Sequence, residues 1–231
     1  MIKGNTAGNW DIEYQRPGIP SSLWKEPSAT VVDFTDFLQR NGISKGVALD
    51  IGCGKGRNSL YLARQGFIVY GLDFTPAAID YLRQQALKEE LAGKIHTVCQ
   101  SVIDPWPFKA QSADIAIDTF CYKHQVKASD RAFYRAELLK ALKPGGYYLL
   151  TLAAMDDGYY GPLLAQSPNR EDRIITDPGN QIPSILFSRE DVEAEFISQF
   201  KLVSYQHRIN QSEMYGVLYS RSMHRLVWQK P

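Results

Sequence analysis

The chain has 231 residues, of which 44% are hydrophobic and 22% charged, a globular balance that excludes disordered, collagen-like and fibrous classes. Its 26 Lys and Arg against 25 Asp and Glu leave a formal charge of +1, without the basic excess of a phosphate-backbone binder, so nucleic acid is a disfavoured partner. Three cysteines, Cys53, Cys99 and Cys121, show neither a CxxC pair nor a His/Cys ligand spacing, which argues against a zinc site and a disulfide scaffold and favours a reducing, cytoplasmic setting. The longest apolar run, 147–155, falls far short of the ~20 residues of a membrane span.

In chain order, residues 1–26 are aromatic and Pro-rich without periodicity, with Trp10, Tyr14 and Trp24 among them. They are expected either to fold over a ligand or to pack on the outer face of a sheet. A helix is predicted over 28–40, ending before Asn41-Gly42, then a strand over 47–51 (VALDI) that runs into glycines. A helix over 58–64, stopped by Gly66, precedes a β-branched and aromatic strand at 67–73. Thr75 as cap and Pro76 at N1 open a helix to 91, with Ala78, Ile79, Leu82 and Ala86 on one stripe.

Strands follow at 96–102 and 114–120, then a helix over 130–142 with Ala132, Phe133, Ala136 and Leu139 inward, ended by Lys143-Pro144-Gly145-Gly146 before a strand at 147–154. Residues 155–187 are rich in Gly, Pro, Asn and Asp and exceed an ordinary connection. They read as a substrate lid or as a solvated surface excursion, with Arg170, Glu171, Asp172 and Arg173 a charge cluster inside them. A helix capped by Ser188 with Asp191 at N3 then carries Val192, Phe196 and Phe200, and strands over 201–209 and 214–228 are joined too tightly for a helical crossover. Strands alternating with helices imply right-handed crossovers: an α/β, doubly wound, Rossmann-like sheet of seven mostly parallel strands, with an antiparallel edge hairpin and helices on both faces.

The sharpest feature is the turn Asp50-Ile51-Gly52-Cys53-Gly54-Lys55-Gly56-Arg57-Asn58 between the first strand and the next helix. Glycines let the backbone turn steeply and approach a ligand, and the first free N–H groups of the helix face the same space. Arg57 stands where the dinucleotide pattern GxGxxG needs its third glycine, and Asp50 at the strand tip has the wrong sign for a pyrophosphate. Asp73, ending the second strand, suits two ribose hydroxyls, a role that it would share in a nicotinamide enzyme.

Together these residues resemble the class I S-adenosylmethionine-dependent methyltransferases, whose first motif (Asp/Glu)-x-Gly-x-Gly-x-Gly is matched by Asp50, Gly52, Gly54 and Gly56. The resemblance covers 27–231 and, within the class, looks most like the tellurite-resistance and thiopurine branch that acts on small molecules. It implies S-adenosylmethionine as cofactor, S-adenosylhomocysteine as product, and a domain over 27–231 with its lid inserted at 155–187. By the same resemblance Asp50 and the glycine backbone hold the methionine moiety, Asp73 the ribose and Phe74 an adenine face, and Asn58 also contacts the cofactor. Ser101 and Val102 take the place of the Asp-small pair that reads the adenine edge, with Asp104 as the alternative to Ser101. Asp118, Thr119 and Phe120 close the fourth strand beside the sulfonium, where the Asn-Pro-Pro-Tyr motif of enzymes acting on adenine or glutamine is absent.

Aromatic faces attract a sulfonium by ~0.5–2 kcal/mol. If the acceptor has a proton to lose, His124 and Tyr122 are the candidates to take it. His96, His207 and His224, in strand patterns, read as structural, and no metal is required. Two other readings keep the same pocket: an NAD(P)-dependent oxidoreductase, and an adenosyl-cofactor-binding module without catalysis.

Overall fold

The computed structural model describes residues 6–16, 18–19 and 25–231, so that Trp24 lies outside the described residues. The elements are α1 (Thr6–Tyr14), α2 (Ala29–Arg40), β1 (Gly46–Ile51), α3 (Arg57–Arg64), β2 (Phe67–Asp73), α4 (Pro76–Lys88), β3 (Ile95–Cys99) and β4 (Ala113–Thr119). A 3-10 turn (Tyr122–His124), α5 (Ala128–Ala141), β5 (Leu142–Ala153), α6 (Tyr160–Ala165), β6 (Ile174–Thr176), β7 (Pro183–Ile185), α7 (Arg189–Phe196), β8 (Lys201–Met214) and β9 (Val217–Gln229) follow.

Seven strands form one sheet in the order β3-β2-β1-β4-β5-β9-β8. Strands β1 to β5 pair in parallel, whereas β9 runs antiparallel to both β5 and β8. The doubly wound sheet with an antiparallel edge hairpin is therefore as the alternation of patterns predicts. Successive side chains alternate between the faces. On one face Ala48, Ile115 and Ile117 pack with Val31, Phe34 and Leu38 of α2 and Ile79 and Leu82 of α4. On the other, Leu49, Ile51 and Ala116 pack with Tyr134 and Leu138 of α5 and Phe196 of α7. Each Val, Leu, Ile or Phe among them contributes ~1.5–3 kcal/mol on removal from water. Strand order reverses between β1 and β4, and the crevice beyond the carboxyl ends of these two strands is where open α/β sheets bind ligands.

Local differences from the sequence reading have physical causes. Helix α5 buries Arg131, Tyr134, Leu138 and Ala141 rather than Ala132, Phe133, Ala136 and Leu139. The Arg131 guanidinium is satisfied by Glu195 at 2.8 Å and the Tyr134 hydroxyl donates to Asp118 at 2.6 Å, so polar groups that pattern reading places outside are carried inward by their partners. The Thr75 hydroxyl does not cap α4; its backbone N–H instead donates to Asp73 Oδ1 at 2.9 Å, while Pro76 stands at N1 as expected. Ser188 and Asp191 form the full capping box.

The edge hairpin is longer than predicted, with strands joined by Tyr215 (φ 50°) and Gly216 (φ 78°), the two left-handed residues of a type I′ turn. Residues 155–187 are not a solvated excursion. They carry α6 and the small β6-β7 sheet, and bury Leu164, Ile175 and Leu186 in a third cluster with Ala153 of β5 and Met214 of the hairpin. Within this segment Arg173 pairs with Asp191, fastening it to the start of α7.

Candidate active site

The turn after β1 takes its shape from three left-handed residues, Gly52 (φ 70°), Gly54 (φ 52°) and Gly56 (φ 80°), a conformation that L side chains pay to adopt. Space forbids side chains there as well. A Cβ on Gly52 would stand 2.5 Å from Cys121 Cβ, one on Gly54 2.6 Å from the Tyr14 hydroxyl, and one on Gly56 would overlap Leu82. The turn is thus gripped by the β4 end, by α1 and by α4. Gly52 N–H and Cys53 N–H both donate to the Leu72 carbonyl, at 2.7 and 3.0 Å, and Gly54 N–H donates to Asp73 Oδ2 at 2.9 Å.

Above the turn lies a cavity of about 300 Å³. Of the residues singled out in the sequence, Trp10, Tyr14, Gly52, Asp73, Phe74, Ser101, Val102, Thr119, Phe120 and His124 line it. Asp73 is 5% exposed, and burial holds its carboxyl above the usual range. Phe120 has φ 74°, a strained value for a bulky residue, held by its N–H on the Thr151 carbonyl at 2.9 Å. At the end of β3, Ser101 reaches the cavity whereas Asp104 is exposed and outside its lining.

Other predicted site residues stand behind this surface. Asp50 is 1% exposed and accepts from the Ser59 hydroxyl at 2.6 Å; desolvation pushes its pKa up to about 6, against the opposing pull of that bond. Asp118 accepts from the Tyr134 hydroxyl and, at 2.8 Å, from Cys121 N–H, and burial pushes it up to about 7. Asn58 braces the turn, accepting from Ser28 N–H at 2.9 Å and donating to the Thr119 hydroxyl at 3.0 Å. Gly54 and Gly56 shape the turn without lining the cavity.

Tyr122 requires correction. It is fully buried under α5 and α7, bonded to Glu195 and to Arg135 Nη1 at 2.5 Å, and does not line the cavity. Burial first, and then the charge of Glu195, push its hydroxyl well up. The 3-10 turn sends residue 122 into the core and residues 123 and 124 into the cavity.

His124 Nδ1 lies 3.0 Å from the Pro183 carbonyl, so the neutral ring places its proton on Nδ1 and leaves Nε2 as an acceptor. Burial, helped by the Lys123 charge, pushes its pKa down to about 3. Trp10 meets its ring edge-on at 5.1 Å and stacks on Tyr14 at 5.5 Å, and both aromatics line the cavity. Sequence reading does not assign Arg57, Lys123, Tyr160, Met214 or Arg221 to the cavity, although all five line it. The local signals are adjacency to Phe120 and His124 for Lys123 and a place in the glycine turn for Arg57. Among the described residues, no group of three or more His, Cys, Asp or Glu side chains is placed to hold a metal ion.

The comparisons with known proteins agree with this geometry. A family model described as a methyltransferase domain matches residues 48–146, which span β1, the glycine turn and the start of β5. Among solved structures, a SAM-dependent methyltransferase from Methanosarcina mazei superposes with a TM-score of 0.72 at 21% identity, covering 84% of this chain and 96% of that one. Its fold is that of a class I methyltransferase. TehB from Haemophilus influenzae shares the fold, with a TM-score of 0.65 at 19% identity over 92% of this chain and 66% of that one. A 2-heptyl-1-hydroxyquinolin-4(1H)-one methyltransferase of Mycobacteroides abscessus is 29% identical over 136 residues, or 57% of this chain and 58% of that relative. The methyltransferase match begins within β1 and thus takes in the Asp50 strand tip, all three turn glycines and Asp73.

Proposed function

We propose that this protein transfers the methyl group of S-adenosylmethionine to a small-molecule nucleophile in the cytoplasm. The observation that carries the reading is Asp73 at the cavity wall beside a turn that admits no side chain. Each Asp73 oxygen accepts one backbone N–H, which leaves a carboxylate with spare acceptor sites for ribose hydroxyls. Phe74 would cover an adenine face, and Ser101 and Val102 its edge. At the other end Arg57 replaces Asp50 as the anchor: it lines the cavity, and its one close partner among the described residues is the Glu26 carbonyl at 3.5 Å. A guanidinium suits the carboxylate of a methionine moiety.

Bound there, S-adenosylmethionine supplies an activated methyl group, so the chain's task is to place the acceptor and keep water out. Trp10 and Tyr14 from α1, Tyr160, Ile182 and Pro183 from the 155–187 segment, and Met214 from the hairpin line the cavity. We read the 155–187 segment as the substrate lid and α1 as the cover of the cofactor. A cavity of about 300 Å³ favours a small acceptor over a polymer. His124 accepts a hydrogen bond from the acceptor through Nε2 and, with its depressed pKa, orients a proton rather than storing it.

Calorimetric titration with S-adenosylmethionine and S-adenosylhomocysteine, with NADH and NADPH in parallel, tests this. Micromolar binding of the adenosyl ligands, lost in Asp73→Ala, is expected. Heat from a nicotinamide dinucleotide with none from the adenosyl ligands would overturn the reading.

A further inference from the structure

Lys123 is 2% exposed and lines the cavity, and among the described residues it forms no ion pair. Its Nζ has two close partners, the Ser184 hydroxyl at 3.3 Å and the face of Tyr160, 3.9 Å from the ring centroid. An ammonium has three N–H donors, so one hydroxyl and one ring face leave it short of an oxygen acceptor. Arg221, the other cavity-lining cation that is buried, also lies over Tyr160, at 5.0 Å, but its Nε is matched by Asp157 Oδ2 at 2.8 Å. Of these two buried cations one is in direct contact with a carboxylate, whereas Asp177 and Asp157 act on the other only from beyond ion-pair distance. Burying a charge without an ion pair is costly, and Lys123 lines a cavity from which a ligand's anionic group can reach Nζ.

We propose that Lys123 is the anion anchor of the acceptor pocket, and that the acceptor is an aromatic small molecule bearing an oxyanion, a carboxylate or an ionised hydroxyl. The proposal rests on the methyltransferase reading and names the chemistry of its substrate. The aromatic body fits between Trp10, Tyr160 and Phe120, and the oxyanion accepts from Nζ beside Ser184. The charged and titratable groups that face Nζ are Arg221 from β9, Asp157 and Asp177 from the lid segment, Tyr160 of α6 and the adjoining His124. Burial first, and then Arg221, lower the Lys123 pKa to about 7, with Asp177 and Asp157 opposing. A bound oxyanion would reverse that shift.

Binding is measured by calorimetry with benzoate, naphthoate and indole carboxylate, each against its own amide, with S-adenosylhomocysteine present. At pH 6 at least one acid should bind about tenfold or more tightly than its amide, the value of one charge-assisted hydrogen bond. Raising the pH to 8.5 should remove most of that preference, weakening an acid preferred tenfold by about sevenfold as Lys123 loses its proton, and leave the amide unchanged. Lys123→Met should erase the preference and Lys123→Arg should keep it. Equal binding of acid and amide in all three wild-type pairs, or a preference that survives in Lys123→Met, overturns the anchor. The wild-type comparison needs no variant to fold. Absence of S-adenosylhomocysteine heat sinks the methyltransferase reading, whereas that heat without acid preference sinks the anchor alone.

Discussion

The buried carboxyl of Asp118 should make the protein lose stability as the pH rises through neutrality, and Asp118→Asn should remove that loss. In the folded state burial raises its pKa from 3.8 to about 7, against the bonds from Tyr134 and the Cys121 and Tyr122 backbone. A raised carboxyl pKa contributes stability fully present below the unfolded value and lost as pH climbs through the folded one. Each pH unit inside that window is worth about 1.4 kcal/mol, so raising the pH from 5 to 8 should cost the wild type about 3 kcal/mol through this residue. The asparagine is accommodated: its carbonyl oxygen accepts Cys121 N–H, its amide faces the Tyr134 oxygen, and the Tyr134 hydroxyl turns its proton to Tyr148, 3.2 Å away. Urea unfolding of both proteins at pH 5, 6, 7 and 8 gives the difference directly, with other titrating groups cancelling to first order. Parallel curves, with a gap constant to within about 0.5 kcal/mol, would refute a strongly raised Asp118, because the extrapolation itself resolves little less.

Gly52→Ala forces a left-handed residue and a Cβ onto Cys121, costing about 1–2 kcal/mol before any clash; calorimetry should show S-adenosylhomocysteine affinity reduced at least about tenfold. Asp157→Ala strands the buried Arg221 guanidinium and releases Tyr159 N–H and Tyr160 N–H, both bonded to Asp157 Oδ1. Denaturant unfolding should register about 3–5 kcal/mol, and a loss under 1 would deny the pair its structural role. Ser188→Ala removes the hydroxyl that accepts Asp191 N–H at 3.2 Å. It should cost about 1 kcal/mol in the same assay with ligand heats unchanged.

The amino-acid order determined the features in which one residue type alone satisfies the backbone or the solvent. Positive φ at 52, 54 and 56 calls for glycine, β-branched runs such as 67–73 call for strands, and the Ser188–Asp191 box announces its helix. The element order and the ligand crevice therefore follow from local physics. The hairpin length was hidden because polar residues 210–213 pair through their backbones without an apolar alternation to mark them.

Which carboxylates face the ligand was a tertiary decision. Asp50, in step with Ala48, points to the α3 face and meets Ser59; Asp118, in step with Ala116, points to the α5 face and meets Tyr134; only Asp73, at the last position of β2, turns into the cavity. Lys123 is an ordinary basic residue in the sequence. Its burial depends on Tyr160 and Ser184 of a segment more than 35 residues downstream, brought over it by the Asp157–Arg221 pair and the third apolar cluster. A buried charge without an ion pair is a property of packing, because the desolvation that gives it meaning exists only once the surrounding segments have packed.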